Sequence, residues 1–442
     1  MAVRRTTTPA VPANRCVRAT ARPGYGQLLR TPGAWRFLFP GFAARLPFAM
    51  LTLGIVLLVQ HTTGSYGTAG TVAAVCAVAQ ASAGPQIGRL ADRLGQAAVV
   101  VPAVVAHTAT VGTLTWLALS GAPEWTLYAA AVPAGASVPQ IGPMIRSRWM
   151  ESLGDSPLTG PAFALESVTD ELTFVLGPVI ATALCTGIHP AAGLVAEAGL
   201  TLAGGVAFAA VRHGAPPPAR HRAGGRRQSA PAVAGVRLLV LAFLGIGSVF
   251  GAMQVSLTAF AEEAGSPGLS GTLYAGFAGG SMVAGAVYGA VRWRRSPQSR
   301  MIITYSALVA AASPLWVVHS TGLVALTAIV CGLAVAPTLI TGFTLVEKLV
   351  PGGSKTEAFT WMTGAIGLGL AAGSTFAGRL ADASGSSAGF TVPALGTGLG
   401  LFALVALRTR LVPTLAALPR VTVAGSGGTR VLRQERGPVA VD

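Results

Sequence analysis

Apolar residues fill most of the chain in long runs, and short polar or charged stretches separate these runs. A helix rises about 1.5 Å per residue, so about 20 apolar residues cross the roughly 30 Å hydrocarbon core of a bilayer. The pattern predicts twelve membrane-spanning helices, at 36–60, 66–87, 97–120, 125–145, 161–184, 189–211, 236–260, 270–291, 301–319, 322–345, 357–378 and 387–407. The run at 125–145 is the least regular, because it contains Pro133, Pro139 and Pro143.

The longest polar loop divides the twelve spans into six and six. Its many Pro, Gly and Arg residues are typical of a solvated linker. We therefore predict a disordered cytoplasmic tail (1–34), an N-terminal six-helix bundle (35–211), a basic cytoplasmic linker (212–235), a C-terminal six-helix bundle (236–408) and a second cytoplasmic tail (409–442). Gly84 and Gly88 recur at the corresponding place in the second half as Gly285 and Gly289, which favours an internal duplication.

Composition supports a multi-pass membrane protein. Of the 442 residues, 52% are hydrophobic and 10% are charged, and a soluble protein of this size could not bury so much apolar surface. The formal net charge of +16 would suit nucleic acid, but the basic residues lie in the tails and in alternate loops, among them Arg146 and Arg148. This distribution follows the positive-inside rule, so we expect both termini in the cytoplasm and no nucleic-acid partner.

The sequence lacks the residues that a metal site, an enzyme or an ATP-driven pump would need. The four cysteines are far apart, the six histidines form no cluster, and no phosphate-binding loop of an ATP-driven pump is present. A membrane-embedded enzyme would need a nucleophile with its base, or a metal-ligand set. We therefore expect no catalytic residue, no metal site and no cofactor, with a proton gradient as the energy source.

One stretch between the second and third runs combines small and charged residues. Gly84 and Gly88 have the spacing that lets two membrane helices approach closely. Arg89, Asp92 and Arg93 follow, and Gly95 ends the stretch. It predicts a tight, charged turn at the membrane surface, which would be one hinge of a transport protein.

With these features the chain resembles the major facilitator superfamily over about residues 35–408. The loop signature of that family, Gly-x-x-x-Asp-Arg-x-Gly-Arg-Arg, matches here at Gly88, Asp92, Arg93 and Gly95, and it departs at 96–97, where the family has basic residues. The resemblance implies an all-α membrane protein of two pseudo-symmetric six-helix bundles. It also implies that the stretch from Gly84 to Gly95 is a gating loop, which steadies the inward-closed state through Asp92 and a nearby helix end. Arg93 can bridge to a carboxylate of a neighbouring loop.

Among the ionisable residues within predicted spans, five stand out: Arg45 in span one, Glu166, Asp170 and Glu171 in span five, and Glu197 in span six. Each costs at least about 2.5–3.5 kcal/mol in the bilayer, so a role in transport or proton coupling is the default hypothesis. Glu166 and Asp170 share a helix face, from which Glu171 points away. Arg45 can pair with Asp170 or Glu171 and leave a spare carboxylate for a proton or a cationic substrate. The alternative is a static bridge, and Glu197 can equally be a hydrogen-bonded core acid.

Gly177 and Pro178 follow the acids in span five, where they permit close approach and a helix bend. They resemble a fragment of the Gly-Pro-x-x-Gly element of proton-coupled exporters of the superfamily, with Ala181 in place of the last glycine. The arginine that drug exporters commonly carry in span four is absent.

The leading hypothesis is a bacterial exporter-like secondary transporter. It would move a small organic molecule across the plasma membrane by proton antiport, as a monomer with the lipid bilayer and its substrate as partners. The alternatives are proton-linked transport of a sugar-like or amino-acid-like solute, and a non-transporting membrane receptor of the same fold.

Overall fold

The computed structural model describes residues 25–154, 156–218, 229–266, 268–291 and 293–411. These residues form fifteen α-helices and no strand. The helices are α1 (Tyr25–Leu29), α2 (Ala34–Thr63), α3 (Tyr66–Leu94), α4 (Gln96–Leu119), α5 (Glu124–Ala136), α6 (Ile141–Leu153), α7 (Thr159–Gly187), α8 (Ala192–Ala210), α9 (Ala234–Glu263), α10 (Leu269–Ala290), α11 (Pro297–Ala312), α12 (Thr321–Leu349), α13 (Lys355–Ser384), α14 (Ser386–Gly389) and α15 (Thr391–Ala406). Helices occupy each of the twelve predicted spans.

Eight helical segments in the described ranges are long and apolar enough to cross a membrane. The remaining long helices, α3, α10 and α13, contain many Gly, Ala, Ser and Thr residues and are less apolar. Each of them packs against another long helix of the opposite half, α3 on α13 and α10 on α7. Small side chains allow this close packing, which explains why these three helices are the least lipid-like.

The fourth span is two helices rather than one. The expected helix over 125–145 is interrupted between α5 and α6, at residues 137–140. Proline lacks the backbone N–H and disfavours a helical residue before it, so the Val138-Pro139 step ends regular helix. The continuation, α6, carries basic residues into the protein interior, as described below.

The stretch predicted as a gating loop is mostly helix. Residues from Gly84 to Leu94 are the last turns of α3, and the chain reverses only at Gly95, whose φ of +94° suits glycine. Pro85 does not interrupt the helix. The prediction of a turn over the whole stretch was wrong. The backbone stays helical through these charged residues, and its hydrogen bonds continue beyond the apolar part of α3 to Leu94.

The predicted N-terminal tail includes ordered structure. Tyr25–Leu29 form α1, and Leu28 is fully buried, so disorder over 1–34 was wrong for residues 25–34. The rest of that tail, residues 219–228 of the predicted linker, and 412–442 of the second tail lie outside the described residues.

The helices from α2 to α8 form a first half and those from α9 to α15 a second half. The halves meet through α3 and α13, through α7 and α10, and through α7 and α12. We call the end of the molecule at which α3 finishes and α13 begins the Asp92 end. Four buried phenylalanines lie near this end, Phe163 from the first half against Phe343 and Phe359 of the second, and Phe243 against Phe343. This apolar cluster seals the space between the halves there.

Candidate functional site

Asp92 caps the first turn of a helix in the other half. Its Oδ1 accepts a hydrogen bond from the backbone N–H of Thr356 at 3.3 Å, and its Oδ2 accepts one from Glu357 at 3.0 Å. The first N–H groups of a helix have no partner within the helix, and the helix dipole favours negative charge there. Asp92 is buried, so water competes poorly for these bonds. A carboxylate on α3 thus ties the first half to the start of α13.

Gly88 allows this contact by letting α3 and α13 approach. A Cβ atom at Gly88 would lie 2.5 Å from Oγ1 of Thr360 and 3.1 Å from the carbonyl oxygen of Thr356. Gly84 packs on Gln140 of the interrupted fourth span. Arg93 is exposed at the end of α3, and within the described ranges it forms no ion pair with a loop carboxylate. Its predicted bridge is therefore absent from this part of the structure.

A second group of charged side chains lies inside the first half. Arg45 on α2 forms an ion pair with Glu166 and donates to Oδ1 of Asp170 at 3.0 Å. Arg146 on α6 pairs with the other oxygen of Asp170, and Nε1 of Trp149 donates to Oε1 of Glu166 at 2.9 Å. We call these five residues the Arg45 network. Two guanidinium groups balance two carboxylates, which reduces the cost of burying each charge.

Arg146, Arg148 and Trp149 were missed as site residues, and the two arginines were wrongly placed in a surface loop. Both are buried, with exposed fractions of 2% and 1%. Arg148 donates to Gln96 at 2.7 Å and lies over the ring of Phe208. A helix brings residues three apart onto one face, and this spacing of Arg146 and Trp149 could have indicated a shared partner in span five.

The Arg45 network touches the second half through Arg146. The guanidinium carbon of Arg146 lies 4.2 Å from the centre of the Phe343 ring on α12, in a cation–π contact. Phe343 belongs to the aromatic cluster that closes the Asp92 end. Movement of the halves must therefore change the surroundings of one arginine of the network.

Glu171 lies apart from this network. Its Oε1 accepts a hydrogen bond from Oγ of Ser281 on α10 at 2.7 Å, which joins the two halves. Only 6% of the residue is exposed, and it lies about 18 Å along α7 from the first residue, near the middle of this 29-residue helix. Among the described residues it has no basic partner. Of the two partners that the sequence allowed for Arg45, the structure brings Asp170 to it and not Glu171.

Glu197 is deep in the first half and away from the interface. Its Oε1 lies 3.0 Å from Nε2 of His107 and accepts from Thr201 at 2.9 Å. Nδ1 of His107 lies 3.0 Å from the carbonyl oxygen of Ala134, so a proton on that nitrogen is needed to donate. The pair joins α4, α5 and α8.

Replacing Glu197 with Ala is expected to destabilise the protein by about 1–3 kcal/mol, because it leaves a buried nitrogen of His107 without its hydrogen-bond partner. Glu197→Gln keeps an oxygen at the same place and should cost less. Thermal unfolding in detergent measures both. Equal midpoints for the two variants would contradict this interpretation of the pair.

Gly177 and Pro178 lie in α7, which continues through both residues to Gly187. A Cβ atom at Gly177 would lie 2.7 Å from Cβ of Ala49 and 3.3 Å from the carbonyl oxygen of Leu46. The glycine thus permits close packing of α7 on α2, next to the Arg45 network.

In the described ranges, no group of three or more His, Cys, Asp or Glu side chains could hold a metal ion. An apolar groove of about 270 Å³ lies between α11 and α12 and is lined by Thr304, Ala307, Ala311, Val330, Leu333, Ala334 and Pro337. It contains no ionisable side chain, so the charged residues between and within the halves remain the candidate site.

Comparison with known proteins agrees with this architecture. A family model described as Major Facilitator Superfamily matches residues 37–351. A search of curated proteins found no match.

Similar solved structures are transporters. The human organic anion transporter TETRAN is 17% identical, with a TM-score of 0.66, and the match covers 84% of this chain and 100% of that one. A bacterial homologue of the iron transporter ferroportin is 13% identical, with a TM-score of 0.66 and coverage of 85% and 99%. The fucose:proton symporter of E. coli is 12% identical, with a TM-score of 0.63 and coverage of 85% and 99%. At these identities the likeness shows the fold, and the predicted two-bundle fold is confirmed.

Proposed function

The chain belongs to the major facilitator superfamily of membrane transporters, and on that premise we propose that it exports a small organic molecule by proton antiport. A multi-pass transporter takes a small-molecule substrate and is not an enzyme. We also propose the proton as the coupling ion, export as the direction and the cell membrane as the location.

The proposal rests on the position and the contacts of Glu171. It is a buried carboxylate near the middle of α7, without a basic partner among the described residues, and its hydrogen bond to Ser281 crosses between the halves. An unpaired charge is costly in such surroundings, and a proton removes the charge. Opening of the interface would break the bond to Ser281 and admit water. Proton binding and the movement of the halves would therefore be linked at this residue.

The Arg45 network has a different part in the proposal. Its charges already balance, so it has no unpaired carboxylate like that of Glu171. Asp170 is its most exposed member, with a side chain that is 31% exposed. We propose that the network holds α2, α6 and α7 in register and shapes the polar side of the substrate path. Glu197 lacks an interface position and is proposed to stabilise the first half.

The distribution of basic residues supports a cytoplasmic location for both termini and for the Asp92 end. Contacts of Asp92 and of the phenylalanine cluster then close the cytoplasmic side, and the contact of Glu171 with Ser281 joins the halves deeper in the membrane. A proton would bind to Glu171 from outside and leave to the cytoplasm after the halves rock, and the substrate would move the other way. The likeness of Gly177-Pro178 to the exporter element favours this direction.

The main alternative is symport of a proton with a sugar-like or amino-acid-like solute, since the same carboxylate serves either direction. A receptor of the same fold without transport is the other. In a receptor, Glu171 would be a static hydrogen-bond acceptor.

Glu171→Gln is expected to abolish proton movement that depends on substrate. The amide oxygen of Gln keeps the hydrogen bond to Ser281, but an amide takes up no proton at physiological pH. Inside-out vesicles would be loaded with a pH-sensitive dye and challenged with a panel of cationic, anionic and neutral compounds. A compound that releases protons from wild-type vesicles should release at least about tenfold less from the variant.

Glu197→Gln is the matched control, since it changes a buried membrane carboxylate inside one half. It should retain coupling. Coupled transport by Glu171→Gln at the wild-type rate would overturn the assignment of the proton to this residue. Uptake of a compound with protons in the same direction would favour the symport alternative.

A further inference from the structure

The short helix α1 lies before the first span and contacts both halves. It packs on α7 of the first half, and Leu28 is buried in the core at the Asp92 end. Gly33, with φ of +77°, turns the chain from α1 into α2. His213, just after α8, bonds the carbonyl oxygen of Pro32 at 2.7 Å and fixes this turn to the first half.

Tyr25 extends from α1 to the second half. Its hydroxyl donates to the carbonyl oxygen of Ala286 on α10 at 2.8 Å and lies 3.4 Å from that of Gly285. Burial raises the pKa of Tyr25 to about 12, so the hydroxyl remains a donor at physiological pH.

Gly289 makes room for this contact. A Cβ atom at Gly289 would lie 2.5 Å from the hydroxyl oxygen of Tyr25 and would also collide with Ala164 of α7. Three segments, α1, α7 and α10, therefore meet where α10 has no side chain. The contact belongs to the arrangement in which the halves are packed at the Asp92 end, because α1 is fixed to one half and its acceptor belongs to the other.

We propose that α1 is a strap that holds the Asp92 end closed, with Tyr25 as its releasable contact. Parting of the halves at this end must break the bond to Ala286 and withdraw the ring from Gly289. The strap adds to the cap that Asp92 places on α13, and it uses a different pair of helices. It sets how often this end opens without touching the substrate or a proton.

The test is Tyr25→Phe, which removes the hydroxyl alone. Spin labels on Leu94→Cys and Lys348→Cys, in a variant whose native cysteines are replaced, would report the distance across the Asp92 end. Both positions are exposed and lie on opposite halves. We expect the ratio of the long-distance to the short-distance population to rise about threefold to tenfold, the effect of one hydrogen bond.

Tyr305→Phe is the matched control. The hydroxyl of Tyr305 also donates to a backbone carbonyl, that of Ala242, at 2.8 Å, but both residues are in the second half. It should leave the distances unchanged. An unchanged distribution in Tyr25→Phe, or an equal shift in Tyr305→Phe, would overturn the strap. Proton coupling by Glu171 is measured separately and does not enter this result.

Discussion

Asp92→Asn is expected to reduce transport at least about tenfold while folded protein is recovered in normal amount. The substitution removes the negative charge of the carboxylate that accepts hydrogen bonds from the backbone N–H groups of Thr356 and Glu357 at the start of α13. Hydrogen bonds to a charged group contribute about 1.5–3 kcal/mol, and a helix N-terminus favours the charge further. This free energy is present only while the halves are packed together at the Asp92 end. Its loss shifts the equilibrium between closed and open states by about tenfold or more and slows the cycle.

The chain contains its own control for this prediction. The sequence Gly-Arg-Leu-Ala-Asp occurs a second time, from Gly378 to Asp382 near the end of α13, where the aspartate is exposed. Asp382→Asn changes the same residue in the same local sequence, at the opposite end of the molecule. We expect near-normal transport in vesicles from this variant. Equal losses in both variants would show that the effect of Asp92 is not due to its helix cap.

Arg45→Gln is expected to have the largest effect on stability. Glu166, which is fully buried, would then lose its guanidinium partner, and Asp170 would keep Arg146 as its basic partner. Removal of one partner of a buried ion pair costs about 3–5 kcal/mol, because the remaining charge has no compensation. We expect little or no monodisperse protein in detergent at room temperature.

The double variant Arg45→Gln/Glu166→Gln should recover most of the loss, since it removes one positive and one negative charge and leaves the Arg146–Asp170 pair. Thermal unfolding followed by size-exclusion chromatography measures this recovery. Arg237→Ala serves as a control, because Arg237 is exposed and, among the described residues, donates to the carbonyl oxygen of Pro231 alone. A double variant no more stable than Arg45→Gln alone would contradict the charge-balanced network.

Sequence predicted the twelve helices well because the bilayer imposes a length on each apolar run. The ends of the spans are less regular. Residues 84–94 carry charges that suggest a loop, yet they remain helical, since a helix satisfies its backbone hydrogen bonds inside or outside the bilayer. The prolines indicated an irregular helix near 137–140. They did not indicate that Arg146 and Arg148 on the next helix point inward, because this depends on partners from other segments.

The candidate site was predicted in part. Intramembrane charge identified Arg45 and the acids of α7, because such residues are costly without a purpose. The choice of partner required three dimensions. Helix geometry placed Glu166 and Asp170 on one face, and Arg45 meets both of them, whereas Glu171 points to Ser281 of a segment more than a hundred residues away. Tyr25 lies in a stretch whose composition resembles a tail, and nothing local signals its contact with α10.

In the proposed transport cycle, the halves are closed at the Asp92 end and open there only as the other end closes. Spin-label distances at the two ends measure this directly, with Leu94 and Lys348 at the Asp92 end and the exposed positions Ile188 and Ala264 at the other. In Asp92→Asn, we predict a longer distance between the first pair and a shorter one between the second. Distances that change in the same direction at both ends, or at neither end, would rule out this alternating movement.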